Sequence, residues 1–186
     1  DPVRGKISYI FLKSGRENFF AADETQYRAK IRKFSDVKIL FTSPEYFSLS
    51  ETIPLVKLQP LEEMEITKKL LKKANADSGV TIDILFADNS SVLKPEYHDL
   101  LRNVKDTLES NPTISILIKG YAGREAVSDD AALKISQARG EIIKTFLLKE
   151  GVRKQQIQVV GMGIGEIENN AAREFRAELL LIDLNN

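Results

Sequence analysis

The hydrophobic period of the chain changes between residues 72 and 80, and no one sheet or bundle accommodates both halves. Before that point the apolar runs are short and strand-like: "KISYIFL" (Lys6–Leu12), "YRAKI" (Tyr27–Ile31), "VKILFTS" (Val37–Ser43), "YFSLS" (Tyr46–Ser50) and "LVKLQPL" (Leu55–Leu61). Clusters of Gly, Asp, Asn, Ser and Pro separate them. Ile7, Tyr9 and Phe11 alternate with other neighbours, as one buried face of a strand requires. Short strands at close spacing predict an N-terminal all-β sandwich over residues 1–72. The stretch 73–80, within "KKANADSGV", reads as a linker.

From residue 81 to 186 the pattern alternates between the two periods. "TIDILF" is a strand. "KPEYHDLLRNVKDTLESNP" is a helix, with Pro95 at its first position, Leu100, Leu101, Val104 and Leu108 on one stripe, and Pro112 as its stop. "TISILIKG" is the next strand. A second helix begins near Asp129 or Asp130, with Ala131, Ile135, Ala138, Ile142 and Phe146 as its expected core stripe, and ends at Gly151. "QIQVVGMG" and "RAELLLIDL" are the last strands. The order β-α-β-α-β-β predicts a two-layer α+β domain, with helices on one face of a mixed sheet.

Composition narrows the function classes. With 27 basic and 27 acidic residues the formal net charge is zero, which speaks against a nucleic-acid or membrane-surface binder. The chain has no cysteine, which excludes disulfides and thiolate metal sites, and a single histidine with no Ser-His-Asp pattern leaves little for nucleophilic catalysis or a transition-metal site. The expectation is a non-catalytic protein without metal or cofactor. No apolar run approaches the roughly 20 residues that span a bilayer. No secretory leader is legible, and a start at Asp1 without Met reads as a trimmed piece or a processed chain.

Residues 84–184 resemble the OmpA-like C-terminal domain, the peptidoglycan-binding module of bacterial envelopes. The resemblance rests on "ILFADNSSVLKPEYHDLL", "SNPTISILIKGYAG", "KISQARG", "EGVRKQQIQVVGMGIGE" and "RAELLLI", in the family's order. Residues 1–72 resemble, through "VRGKI" and "FTSPEYFSLSETIPL", the carboxypeptidase-regulatory-like or transthyretin-like sandwiches that precede this domain in some envelope proteins. The resemblance implies a periplasmic, outer-membrane-associated protein whose partner is peptidoglycan. It also implies a clamp for diaminopimelate, in which a loop Asp and a helix Arg pair with an ammonium and a carboxylate. Here the Arg is kept as Arg139. The Asp position is Gly123, in a loop that reads Gly120, Tyr121, Ala122, Gly123, and the terminal Asn-Arg-Arg is Glu174, Phe175, Arg176. The clamp is thus degenerate, and peptidoglycan binding is expected to be weak or lost. A module that holds other envelope proteins is the alternative.

The residues singled out for the ligand are Arg139, Tyr121, Ala122, Gly123, Asp130 and Arg176. Arg139, Asp130 and Tyr121 each have a plainer reading. Arg139 pairs on the surface with Asp129, Asp130 or Glu125, or else points into the cleft beside the Gly120–Glu125 loop. Asp129 and Asp130 are helix-start residues in a favourable dipole, or Asp130 stands in for the lost acid. Tyr121 is a rim aromatic or a stacking platform. "GMGIGE" invites a dinucleotide-loop reading, which fails because no complete βαβ unit follows it. His98 falls on the polar, solvated side of its helix.

Overall fold

The computed structural model describes residues 5–19, 35–57, 64, 66–73, 81–123, 126, 128–164 and 175–183. The chain divides into two units, Asp1–Lys72 and Lys73–Asn186.

In the first unit, strands β1 (Lys6–Phe11), β2 (Glu17–Phe19), β3 (Val37–Ser43) and β4 (Tyr46–Ile53) form one antiparallel sheet in the order β2-β1-β3-β4. The alternation read from the sequence sets its register. Ile7, Tyr9 and Phe11 lie opposite Phe41, Ile39 and Val37. Phe11, Val37, Ile39 and Ile53 are buried together, with Tyr9 edge-on to Phe11 at 5.5 Å between ring centroids. The segment around residues 66–72 runs beside β4, where the Phe47 N–H donates to the Leu71 carbonyl at 2.8 Å. Lys68 pairs with Glu51 at 3.2 Å. Leu55–Lys57 is a 3-10 turn rather than the start of a strand, because the chain turns at Pro54, whose carbonyl accepts from the Lys57 N–H at 3.0 Å. The strand expected at Tyr27–Ile31, the rest of "LVKLQPL" and the linker 74–80 lie outside the described residues. So does any second sheet of a sandwich.

In the second unit the order is β5 (Thr81–Leu85), a 3-10 turn at Pro95–Tyr97, α1 (His98–Ser110), β6 (Ile114–Ala122), α2 (Asp129–Lys149), a 3-10 turn at Lys154–Gln156, β7 (Ile157–Ile164) and β8 (Arg176–Asp183). The sheet order is β5-β8-β6-β7, with β6 and β7 parallel and the other pairs antiparallel. The expected α+β layer with two helices and a mixed sheet is therefore present. Pro95 opens the 3-10 turn, one turn ahead of α1. In α1, Leu101, Val104 and Leu108 are buried as the periodicity requires. His98 is half-buried rather than solvated: its ring stacks on Phe146 at 4.9 Å.

Helix α2 is rotated by about one residue from the expected stripe. Ala132, Ser136, Arg139, Gly140, Ile143 and Leu147 face inward, whereas Ile142 is 37% exposed. The cause is a seam of glycines. A Cβ on Gly120 would overlap the Ser136 carbonyl, one on Gly140 would overlap the Val159 side chain, and one on Gly161 would lie 2.9 Å from the Gln137 nitrogen. Without Cβ atoms there, the helix backbone settles onto β6 and β7 by its small and polar side. Ser128 caps the helix, its Oγ accepting from the Ala131 N–H at 3.2 Å. Gly151, at φ 99°, ends it.

Strand β7 closes one side of the sheet. Along it, the Gly161 N–H donates to Gln137 Oε1 at 2.9 Å and the Gly163 N–H to Ser136 Oγ at 3.0 Å. Val160, Met162 and Ile164 remain 43–45% exposed. "GMGIGE" thus begins as a strand tied to a helix, which gives Gly161 and Gly163 a structural role without a phosphate.

Candidate functional site

The arginine expected at a ligand clamp is wholly buried. Arg139 donates from Nε to the Ser90 carbonyl at 2.9 Å, from Nη1 to the Tyr121 carbonyl at 2.8 Å and from Nη2 to the Ala87 carbonyl at 3.2 Å. Its guanidinium carbon lies 5.5 Å from the Phe86 ring centre and 5.6 Å from that of Phe175. Aromatic faces add a favourable field for a cation removed from water.

Local sequence builds these acceptors. After β5 the chain turns over Ala87–Ser90, with the Ser90 N–H donating to the Ala87 carbonyl at 3.2 Å. Asn89 takes the left-handed conformation, at φ 48°, which asparagine tolerates better than most residues. Val92 N–H closes onto Ser90 Oγ at 3.1 Å. The turn presents two carbonyls to one face of α2, and the end of β6 presents the third. Arg139 therefore joins the β5–α1 loop, the end of β6 and helix α2. It points at the Gly120–Gly123 rim, and none of these three bonds runs outward to Asp129 or Asp130; Glu125, the third acid of the surface-pairing reading, lies outside the described residues.

The other candidates sort differently. Ala122 is 1% exposed and Gly123 is buried, so this part of the rim offers backbone rather than side chain. Asp130 is exposed and pairs with Lys134 one helical turn on, at 2.6 Å. Tyr121 and Arg176 meet each other. The Arg176 guanidinium lies over the Tyr121 ring at 4.4 Å, and the Tyr121 hydroxyl donates to Glu178 Oε2 at 2.9 Å. Arg176 donates to Glu178 Oε1 from Nε at 2.9 Å and from Nη2 at 2.7 Å. Burial, then the hydrogen bond and charge of Glu178, push the Tyr121 phenol up to about 12. Tyr121 thus touches both clusters, with its carbonyl on Arg139 and its ring and hydroxyl on Arg176 and Glu178.

Sequence reasoning did not single out Phe86, Ala87, Ser90 or Glu178, nor a role for Phe175. Three carbonyls carry no residue-type signature, but "ADNS" is a turn signal. Among the described residues no group of three His, Cys, Asp or Glu could hold a metal ion, and no helix is long and apolar enough to cross a membrane.

Residues 85–176 match the model of the OmpA family. Outer membrane porin F of Pseudomonas fluorescens is 30% identical over 100 residues, which are 53% of this chain and 30% of that protein. The peptidoglycan-binding protein ArfA of Mycobacterium bovis is 30% identical over 96 residues, 51% of this chain and 29% of that protein. The chain therefore spans less than a third of the length of these curated relatives. The peptidoglycan-associated lipoprotein of Burkholderia pseudomallei is 26% identical, over 54% of this chain and 89% of that one, with a TM-score of 0.49. The second unit of the chain, across residues 85–176, is an OmpA-like domain.

Proposed function

We propose that this protein is a non-catalytic component of a bacterial cell envelope, periplasmic and outer-membrane associated, whose OmpA-like domain attaches weakly to peptidoglycan. The observation that carries this reading is Arg139, the arginine that the family resemblance marks for the clamp, aimed at the Gly120–Gly123 rim. The similarity to a peptidoglycan-binding protein supports it. The clamp is degenerate in this reading, because position 123 is a glycine and supplies no carboxylate for an ammonium. Residues 1–72 complete a β-sandwich of the carboxypeptidase-regulatory-like kind, and residues 73–80 link it to the OmpA-like domain.

A second reading has its own observation. Because Arg139 is wholly buried and holds three backbone carbonyls, it serves the fold, which favours a module that holds other envelope proteins and no longer binds the glycan peptide. Calorimetric titration with a diaminopimelate-containing muropeptide separates the two, using wild type, Gly123→Asp and Arg139→Ala. A charge-assisted hydrogen bond contributes about 1.5–3 kcal/mol. Weak wild-type binding that Gly123→Asp strengthens by roughly tenfold to a hundredfold is the expected result. Tight wild-type binding would overturn the degenerate clamp. Binding by none of the three would leave the protein-interaction module.

A further inference from the structure

Tyr121 is the one candidate residue that both charged clusters touch, and they reach it from different sides. Its carbonyl accepts from Arg139 Nη1 at 2.8 Å, on the side of the sheet that α2 covers. Its side chain lies on the other side. Successive strand residues point to opposite faces. Lys119, two residues before Tyr121, aligns across the sheet with Glu178, which aligns in turn with Asp83. Gly120 aligns with Ala177 and packs under Ser136 of α2. The Asp83–Glu178–Lys119 row therefore belongs to the face turned from the helices, and Tyr121 shares it. There its hydroxyl donates to Glu178 at 2.9 Å and its ring lies 4.4 Å beneath Arg176. Glu178 is committed at both oxygens, one to the phenol and one to two nitrogens of Arg176.

Two consequences follow. The Tyr121 hydroxyl and the Nε and Nη2 of Arg176 are turned to Glu178 rather than towards a ligand. The residue whose carbonyl Arg139 holds at the rim is thus the same residue whose side chain joins this network on the far face.

We propose that Tyr121 is a positioning residue: through Glu178 and Arg176 it fixes, from the open face of the sheet, the rim carbonyl that Arg139 holds from the helical face. This deepens the reading of the rim as a peptidoglycan contact and rests on it for the ligand arm of the test only. The elevated phenol of Tyr121 fits the arrangement: burial raises it most, the hydrogen bond and charge of Glu178 add to that, Arg176 opposes them, and Asp83 adds a little.

The experiment uses the full chain, with Tyr121→Phe as the main variant and Glu178→Gln as the second. Tyr121→Phe keeps the ring beneath Arg176 and removes only the hydroxyl. Amide hydrogen exchange without ligand reads the rim. Exchange at Ala122 and Gly123 should accelerate by roughly tenfold in Tyr121→Phe, the effect of losing one hydrogen bond to a charged acceptor. Protection in β1, β3 and β4 should be unchanged. Alkaline ultraviolet titration reads the pair. In wild type one of the five tyrosines should ionise last, and in Glu178→Gln that step should move towards the ordinary phenol range. The ligand arm is titration with the muropeptide, where Tyr121→Phe should weaken binding by roughly tenfold while far-ultraviolet dichroism is retained. Unchanged exchange at Ala122 and Gly123 in Tyr121→Phe would overturn the proposal, even with a lower melting temperature, since the contact would then be structural only. If Tyr121→Phe does not fold, Glu178→Gln decides by the same exchange readout. Absence of muropeptide binding in wild type would overturn the peptidoglycan reading, and the exchange and titration arms would still judge Tyr121.

Discussion

A guanidinium removed from water has to find its hydrogen bonds inside the protein, and Arg139 finds three of them on backbone carbonyls from two separate segments. Breaking such a set leaves buried acceptors without donors, which costs about 1–3 kcal/mol for each group. Arg139→Ala should therefore lower the stability of the second unit by about 3 kcal/mol or more, measured by urea denaturation. Arg139→Lys should recover little, because a point ammonium does not span three carbonyls as a planar fork does. Tyr121 gives a prediction in pH. Its phenol is raised from 10.0 to about 12, so below pH 10 both folded and unfolded chains keep the proton. As pH rises from 10 towards 12 the unfolded state loses that proton first, and the stability contribution falls through this window. A pH series of melts should show the decline in wild type and a flatter curve in Tyr121→Phe.

Among the elements, α2 shows what the sequence reveals and what it hides. The apolar face Ile7, Tyr9, Phe11 of β1 with Val37, Ile39, Phe41 of β3, and the stripe Leu101, Val104, Leu108 of α1, follow from period alone, although Ile10 and Leu40 lie on the opposite face of that sheet. Helix α2 carries apolar residues on several sides, and its inward face includes Ser136, Arg139 and Gly140. Counting hydrophobes therefore selects the wrong stripe by one residue. The face was set by glycines on neighbouring strands, which a reading of the helix alone does not weigh. For the same reason Arg139 was legible as a special residue by resemblance, while its carbonyl partners were not, since any residue supplies a carbonyl. Gly120→Ala tests the seam. Its new methyl meets the Ser136 backbone oxygen, an atom that moves only with the helix, and the expected loss is about 3 kcal/mol in a chemical melt. Gly151→Ala meets no neighbour but takes a residue with a Cβ to φ 99°, so it should cost less, about 1 kcal/mol.

At the scale of the whole molecule, the two units carry separate cores, and both described α-helices lie in the second. Amide protection in α1 and α2 therefore reports on the second unit, and that of β1, β3 and β4 on the first. Arg139→Ala should lower protection in α1 and α2 and leave protection in β1, β3 and β4 unchanged; a common loss in both would show one cooperative body. A last consequence concerns β7, the strand whose Gly161 and Gly163 N–H groups are taken by Gln137 and Ser136. A bare strand at the end of a sheet is a template on which another chain can crystallise, strand upon strand. Here the row of Val160, Met162 and Ile164 supplies the greasy flank for such growth, but two of the hooks it needs are already occupied by the helix above. Among the described residues β7 is the end strand, and with two of its N–H groups taken by the helix it has fewer left to pair with a second copy, which disfavours fibre growth from this edge.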